Sequence, residues 1–511
     1  MRKTILILSA CVWTLSAWAC KPQKPIVILH DNDVHCAIER YPQLRSLYDA
    51  MRTADTAYVG LASSGDLVQG AVAGTLSRGQ QIIDVLREMP YDAITLGNHE
   101  FDYGVPRMLE LMEQFGTERV SCVNFSDRAD NYPFGRYVIK QYGRTKVAYI
   151  GVLTPTAMRD EQQAFISAEG DTLYRLQDYD KVVELVQQQV NAARKAGAKY
   201  VVVLSHLGEK DVPLTSVKLI EKTYGIDAVL DGHTHSKIAQ LMVTNSRGKQ
   251  VALTQTGQKL DNIGKLYIGR DGKIETSIVS LKDYKDRDAR VQAVVDSINT
   301  VNAPVINRKV GYSEVRLTNL GADGKRAVRN SPTNTGDLAA DATRWYCGAE
   351  LALVNGGGLR KDIEQGDVTL GEIIDMQPFN NDLNLYAIPA KTLVKMIEYA
   401  CSGLLTEEET GLLIHPSGFG YVYSKEEKKL VDIFEIDDTA GVCREMNMER
   451  VYSVGMASYN FLQFGEIVKD CEVIRANIGM DNMATKEYIE TALDGHIGQE
   501  YAKPQGRLTI K

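Results

Sequence analysis

The sequence predicts an α/β chain of two domains: a layered α/β unit over residues 21–282, a linker helix over 283–310, and a mixed α/β unit over 311–511. Three observations predict it. Short apolar runs alternate with helical patterns through the first half, as in sheets covered on both faces. A polar, helix-permissive stretch without a strand signal then interrupts the chain. Finally, 511 residues exceed what one hydrophobic core usually supports.

Residues 1–20 read as a signal segment: Arg2 and Lys3, an apolar stretch from Ile5 to Trp18, and Ala17-Trp18-Ala19 before Cys20. The stretch is too short to span a bilayer. Ala17-x-Ala19 fits ordinary cleavage, and Cys20 directly after Ala19 also fits a lipoprotein signal. Both readings stay open. The mature chain is expected to be exported, periplasmic or lipid-anchored at the cell envelope, meeting a membrane only through lipidation of Cys20.

The expected strands of the first unit are Pro25 to His30, Tyr58 to Ala62, Ala93 to Leu96, Val147 to Leu153, Tyr200 to Leu204 and Ala228 to Leu230. Between them lies a helix over Asp180 to Ala196, with Val182, Val186, Val190 and Ala193 at helical spacing. Arg270-Asp271-Gly272-Lys273 is a hairpin turn near the end of the unit. In the linker, Val291, Val294, Val295 and Ile298 share one helical face. The second unit carries an apolar run from Leu351 to Val354 and ends in a strand, Gly506 to Ile510.

With 44% hydrophobic and 24% charged residues and a net charge of −8, the composition is that of an ordinary globular protein. No Lys/Arg run offers a track for polymeric nucleic acid, so a small ligand is expected. Six cysteines lie in the body of the chain: Cys36, Cys122, Cys347, Cys401, Cys443 and Cys471. Wide spacing and the lack of a C-x-x-C pair argue against a cysteine metal site; most are expected to be buried small side chains.

Five apolar runs of the first unit end in metal-capable side chains: Asp33-Val34-His35, Gly65-Asp66, Gly97-Asn98-His99-Glu100, Ser205-His206 and Gly232-His233-Thr234-His235. Ligand sites of open α/β sheets form beyond the carboxyl ends of the strands, so these segments are expected to converge on one crevice. Each alone reads as a capping or hydrogen-bonded residue. Their joint placement points to a metal centre.

Those five segments resemble the calcineurin-like metallophosphoesterase signature. Ile28 to His35, Gly97 to Asp102 and Asn355-Gly356-Gly357-Gly358-Leu359-Arg360 resemble, more narrowly, the two-domain 5′-nucleotidase family. The resemblance implies a layered β-sandwich flanked by helices, followed by a substrate-binding second domain. It implies two divalent ions, one held by Asp33, His35, Asp66 and His235 and the other by Asp66, Asn98, His206 and His233, with Asp66 bridging. The donor types favour zinc, manganese or iron, with magnesium less favoured. His99 would serve the transition state or the leaving oxygen, oriented by Asp102. In the second domain the resemblance assigns substrate contacts to Arg360, Asn355 and Phe461. His30 and Glu100 are expected to support the site rather than ligate.

Departures from the family pattern are as telling as the matches. Cys36 and Asn380 stand where glycine is usual. The Phe and Gly-Gly-Asp-Gly-Tyr loop that help clamp a nucleoside in the family have their nearest counterpart in Phe461-Leu462-Gln463-Phe464-Gly465-Glu466-Ile467, which keeps a Phe and one Gly but lacks the Asp, and Leu412 to Gly418 supplies no clear opposing ring, although Phe419 and Tyr421 follow. The leading expectation is an exported enzyme that releases phosphate from nucleoside 5′-monophosphates. Nucleotide-sugar diphosphates, cyclic nucleotides and non-nucleotide phosphate esters stay open as substrates, with a sulfur ester more distant. A non-catalytic binding protein of the same fold would be marked by loss of a ligand or of His99, and none is lost.

Overall fold

The computed structural model describes residues 24–165, 171–210, 213–321, 324–405, 411–437 and 442–511. The signal segment and Cys20 lie outside the described residues. In the first domain two sheets stack face to face. One has the strand order Ile274–Ser280, Asn262–Ile268, Ile26–Asp31, Tyr58–Ser63, Ala93–Ile94. The other runs Lys237–Thr244, Gln250–Thr256, Ala228–Leu230, Tyr200–His206, Thr145–Leu153, Val138–Tyr142.

The alternation along Ile26–Asp31 shows why these runs are apolar throughout. Ile26 and Ile28 enter the space between the sheets, against Tyr149, Val202, Leu204 and Leu230, whereas Val27 and Leu29 face an outer helical layer. A strand buried on both faces has no polar side to show. Helix Tyr179–Lys195 covers the outer face of the second sheet. Asp178 caps it by accepting from Lys181 N at 3.0 Å, and Val182, Leu185, Val186, Val190 and Ala193 form its buried stripe. Each such aliphatic side chain contributes about 1.5–3 kcal/mol on burial.

Parallel pairing carries the functional consequence. Ile26–Asp31 runs parallel to Tyr58–Ser63, with Asp31 opposite Ser63; Thr145–Leu153 runs parallel to Tyr200–His206, which runs parallel to Ala228–Leu230. Ser64, just after its strand, donates its hydroxyl to Leu230 O at 2.7 Å and meets His206 Nδ1 through its carbonyl at 2.6 Å, so the carboxyl ends of both sheets share one edge of the sandwich. Every metal-capable segment leaves from that edge.

Helix Ala289–Ile306 joins the domains. Asp288 caps it, accepting from Arg290 N at 3.1 Å and Val291 N at 3.0 Å. Val291, Val295 and Ile298 are buried in the first domain's core, so this helix is docked along much of its length. Gln81 and Asn302 exchange two amide bonds of 2.8 Å near its end. The second domain centres on a five-stranded sheet, ordered Ile414–Ser417, Leu351–Asn355, Val451–Ala457, Asp382–Pro389, Glu472–Met480. Helix Asn334–Cys347 packs on that sheet, buried over most of its length, and the Asp341–Arg507 ion pair ties the C-terminal strand to it. The domains also meet directly: Gln69 Nε2 and Thr75 Oγ1 donate to Pro378 O at 3.2 and 3.4 Å.

Candidate metal centre and interdomain cleft

The seven expected ligands come together at the shared strand edge. Asp33 and His35 follow Ile26–Asp31, Asp66 follows Tyr58–Ser63, Asn98 opens a short 3-10 turn, His206 ends its strand, and His233 and His235 follow Ala228–Leu230. Asp33, His35, Asp66, His233 and His235 all have φ between 49° and 81°. Side chains other than glycine rarely adopt this left-handed region, at a cost of about 1–3 kcal/mol each. Such strain persists only where surrounding contacts enforce it.

Those contacts are visible. Glu100 is buried and accepts from the backbone N of Asp66 (2.9 Å), of Leu67 (2.6 Å) and of Gly97, fastening the Asp66 loop to the Asn98 turn. Gly97 is required there, because a Cβ would stand 2.1 Å from Asp66 Oδ1. His30 faces away, into the space between the sheets, with Nε2 lying 1.9 Å from where a Cβ on Gly264 would be. Glu100 thus braces two of the expected ligand loops, while His30 lies in the core between the sheets, outside the ligand cluster. Cys36 is buried and donates its thiol to Val68 O at 3.0 Å, filling space. Among the described residues all six cysteines are unpaired; Cys443 is exposed and Cys471 half-buried.

One ligand atom from each of Asp33, His35, Asp66 and His235 lies within 4.8 Å of all the others. His35 Nε2 and His235 Nε2 face each other at 3.0 Å. Beside them His206 Nε2 stands 3.1 Å from Asp66 Oδ2, His233 Nδ1 is 3.0 Å from Asn98 Oδ1, and the His206 and His233 rings are 5.3 Å apart. Asp66 borders both groups.

His206 tests whether this set fits divalent ions. Its Nδ1 lies 2.6 Å from Ser64 O, which fixes the ring, and its Nε2 is buried without a hydrogen bond among the described residues. A buried nitrogen lone pair aimed between carboxylates is a ligand orientation. Burial pulls His35 and His233 down to about 3, so both present neutral imidazoles, the form a metal needs. For His206 burial acts in the same direction, but Asp66 and Asp33 outweigh it and hold the ring up at about 10, marking a point where positive charge is stabilised. The donors fit.

His99 stands beside the cluster. Its backbone N donates to Asp66 Oδ1 at 2.9 Å, and its Nδ1 lies 3.0 Å from Asp102 Oδ2. Burial disfavours its charged form, yet Asp102 and then Asp66 raise its pKa well above the ordinary range. Glu161, which no strand-end argument could find, brings a further carboxylate to the His99–Asp102 pair.

The second domain supplies the opposite wall. Phe379 lies 5.6 Å, ring to ring, from His99 and 5.5 Å from the Arg360 guanidinium. Arg360 is near enough that its charge helps lower His35 and His235, after burial, which is the largest influence on both. Burial, and then Arg329 and Arg326, push Arg360 itself down to about 9, so three arginines crowd this wall. The sequence reading missed Arg326 and Arg329, which follow no apolar run. Asn355 ends its strand at the glycine turn and donates to Gly411 O at 3.2 Å. Asn380 has φ 54°, the conformation that glycine serves elsewhere.

Phe461 stacks on Tyr386, centroids 4.0 Å apart and planes 6° off parallel. Phe419 and Tyr421 lie fully inside the second domain's core, so neither supplies the missing ring.

The sequence model of the calcineurin-like phosphoesterase family matches residues 26–237, and that of the 5′-nucleotidase C-terminal domain matches residues 309–469. The chain belongs to the two-domain 5′-nucleotidase family. Members of that family are metal-dependent phosphoester hydrolases. The chain is 24% identical over 489 residues to the trifunctional nucleotide phosphoesterase protein YfkN of Bacillus subtilis (strain 168), which covers 86% of this chain and 32% of that protein. It thus spans about a third of that relative's length. It is 24% identical over 520 residues to the snake venom 5′-nucleotidase of Crotalus adamanteus, covering 89% of this chain and 84% of that one. The fold is similar to that of the 5′-nucleotidase precursor from Thermus thermophilus, with a TM-score of 0.78 at 21% identity, covering 95% of this chain and 99% of that one.

Proposed function

We propose that this 5′-nucleotidase-family phosphoesterase is exported and releases phosphate from nucleoside 5′-monophosphates in the cleft between its domains. The observation that carries the reading is the position of Arg360, a second-domain guanidinium 5.5 Å from the Phe379 ring, which itself lies 5.6 Å from His99 of the first domain. A phosphoryl group between Arg360 and the ligand cluster would meet ligand-borne ions on one side and a planar donor on the other. Asp33, His35, Asp66 and His235 would hold one ion, and Asp66, Asn98, His206 and His233 the other. Zinc, manganese or iron suits these donors. Ions at that site supply Lewis acidity, lowering the pKa of water and neutralising phosphoryl charge.

The protein's own groups do the rest. His99, kept protonated by Asp102, presents its Nε2–H to a phosphoryl or leaving-group oxygen. Arg360, backed by Arg326 and Arg329, draws the anion into the cleft, and Phe379 walls off His99 from one side. Export rests on the residue 1–20 segment, with release or lipidation at Cys20 as its two forms, which an intact-mass measurement tells apart.

The leaving group tests the substrate class. If an aromatic side chain grips the base, kcat/KM for adenosine and uridine monophosphates should exceed that for ribose 5-phosphate by roughly five- to 150-fold, from about 1–3 kcal/mol of stacking. Equal values for all three would overturn the nucleotidase assignment and leave the phosphoesterase standing.

A further inference from the structure

The loop Gly232-His233-Thr234-His235-Ser236 holds two of the ligands in the left-handed region, with φ 81° at His233 and 56° at His235. Two ligands so close in sequence and both strained cannot keep this shape by their own preference. Asp33 helps at one point, its carboxylate accepting from His233 N at 3.0 Å. Gly257 N donates to Ser236 O at 2.9 Å at the other end, and further side-chain contacts come from two residues with no part in the ligand set, Gln255 and Glu209.

Gln255 sits on the central strand Gln250–Thr256 and is completely buried. Its amide spans the loop. Nε2 donates to Gly232 O at 3.1 Å and to Thr234 Oγ1 at 3.1 Å, while Oε1 accepts from Ser236 N. Glu209, three residues beyond His206, closes the outer side: Oε1 accepts from Ser236 Oγ at 2.5 Å, and Oε2 accepts from Thr234 Oγ1. The same lattice reaches the His206 strand. Asp231 lies 3.3 Å from Gln255 Nε2 and accepts from Ser216 Oγ at 2.6 Å, and Ser216 Oγ is 2.7 Å from Ser205 Oγ. A buried amide is tolerated only when its donors and acceptor are matched, and Gln255 spends them on the ligand loop and its neighbours.

We propose that Gln255 and Glu209 are positioning residues of the metal centre: a buried amide and a flanking carboxylate that clamp both ends of the His233–His235 loop in its strained form and so aim two imidazoles at the ions. This rests on the metal-centre reading and adds what fixes that centre's geometry. Removing the clamp lets the loop relax toward ordinary backbone, which costs ion affinity before it costs the fold.

The test uses the full chain stripped of metal, with Zn²⁺ binding measured calorimetrically and melting followed with and without Zn²⁺. Gln255→Leu and Glu209→Ala should each weaken Zn²⁺ binding by roughly 10–100-fold, as loss of a partner behind a ligand typically does. Glu209→Gln, which keeps an acceptor for one hydroxyl and offers an N–H donor to the other, should stay within about threefold of the parent, and the melting temperature gained on adding Zn²⁺ should shrink in the first two variants alone. Should Gln255→Leu fail to fold, the partly exposed Glu209 carries the test by itself. Parental Zn²⁺ affinity in Glu209→Ala, or equal losses of melting temperature with and without Zn²⁺, would overturn the proposal. A parent protein that binds no divalent ion would instead overturn the metal-centre reading beneath it.

Discussion

Asp66→Ala is expected to lower turnover by about 10³-fold or more and to reduce bound metal below that of the parent. Asp66 borders both ligand groups. Its Oδ2 lies 3.1 Å from His206 Nε2 and 3.9 Å from His35 Nε2, while Oδ1 accepts from His99 N. Burial alone would raise its pKa, but His206 and His99 overcome that and hold it well below the usual range, so the side chain stays an anion. Alanine removes this charge from beside both His206 and His35. Elemental analysis and phosphate-release kinetics on one preparation check both halves of the expectation. Normal metal content with normal turnover would remove Asp66 from the bridging role.

His99→Ala should behave differently. The imidazole meets Asp102, Glu161 and Phe379 and stands outside the ligand groups, so the ions should stay bound while turnover falls by about 10²–10⁴-fold, the usual worth of a positioned proton donor. That range corresponds to roughly 2.7–5.5 kcal/mol of transition-state stabilisation. KM should change little if the contribution is confined to the transition state. Asp102→Ala should show a smaller loss of the same kind, because it removes the group that orients and charges the ring. Turnover close to the parent's in His99→Ala, or loss of metal from it, would contradict this division of labour.

The convergence of the expected ligand segments was legible because each ends an apolar run, and a strand buried on both faces is the easiest element to see. Ile26–Asp31 and Tyr200–His206 are such strands; each pairs in parallel within its own sheet, and the stacking of the two sheets brings their ends together. The His99–Asp102 pair was legible from spacing within one turn. What stayed hidden depends on contacts between distant residues that have no periodic signature. Gln255 occupies a strand position that an apolar residue would fill equally well in a pattern. Glu209 reads as a surface carboxylate, Arg326 and Arg329 lie in a polar stretch, and Glu161 follows a short helix. Their roles arise only when the loops they touch are in place. Phe461 shows the opposite limit: only the family resemblance assigns it a substrate contact, and its stack on Tyr386 appears only in three dimensions.

The most direct test of a metal-dependent phosphoesterase centred on Asp33, His35, Asp66, Asn98, His206, His233 and His235 is a metal count on the purified parent protein. It is paired with phosphate release from adenosine monophosphate before chelation, after chelation and after re-addition of manganese or zinc. The account predicts two divalent ions per chain, loss of activity as they are removed, and recovery as they return. Undiminished hydrolysis by protein with no detectable divalent metal would contradict it.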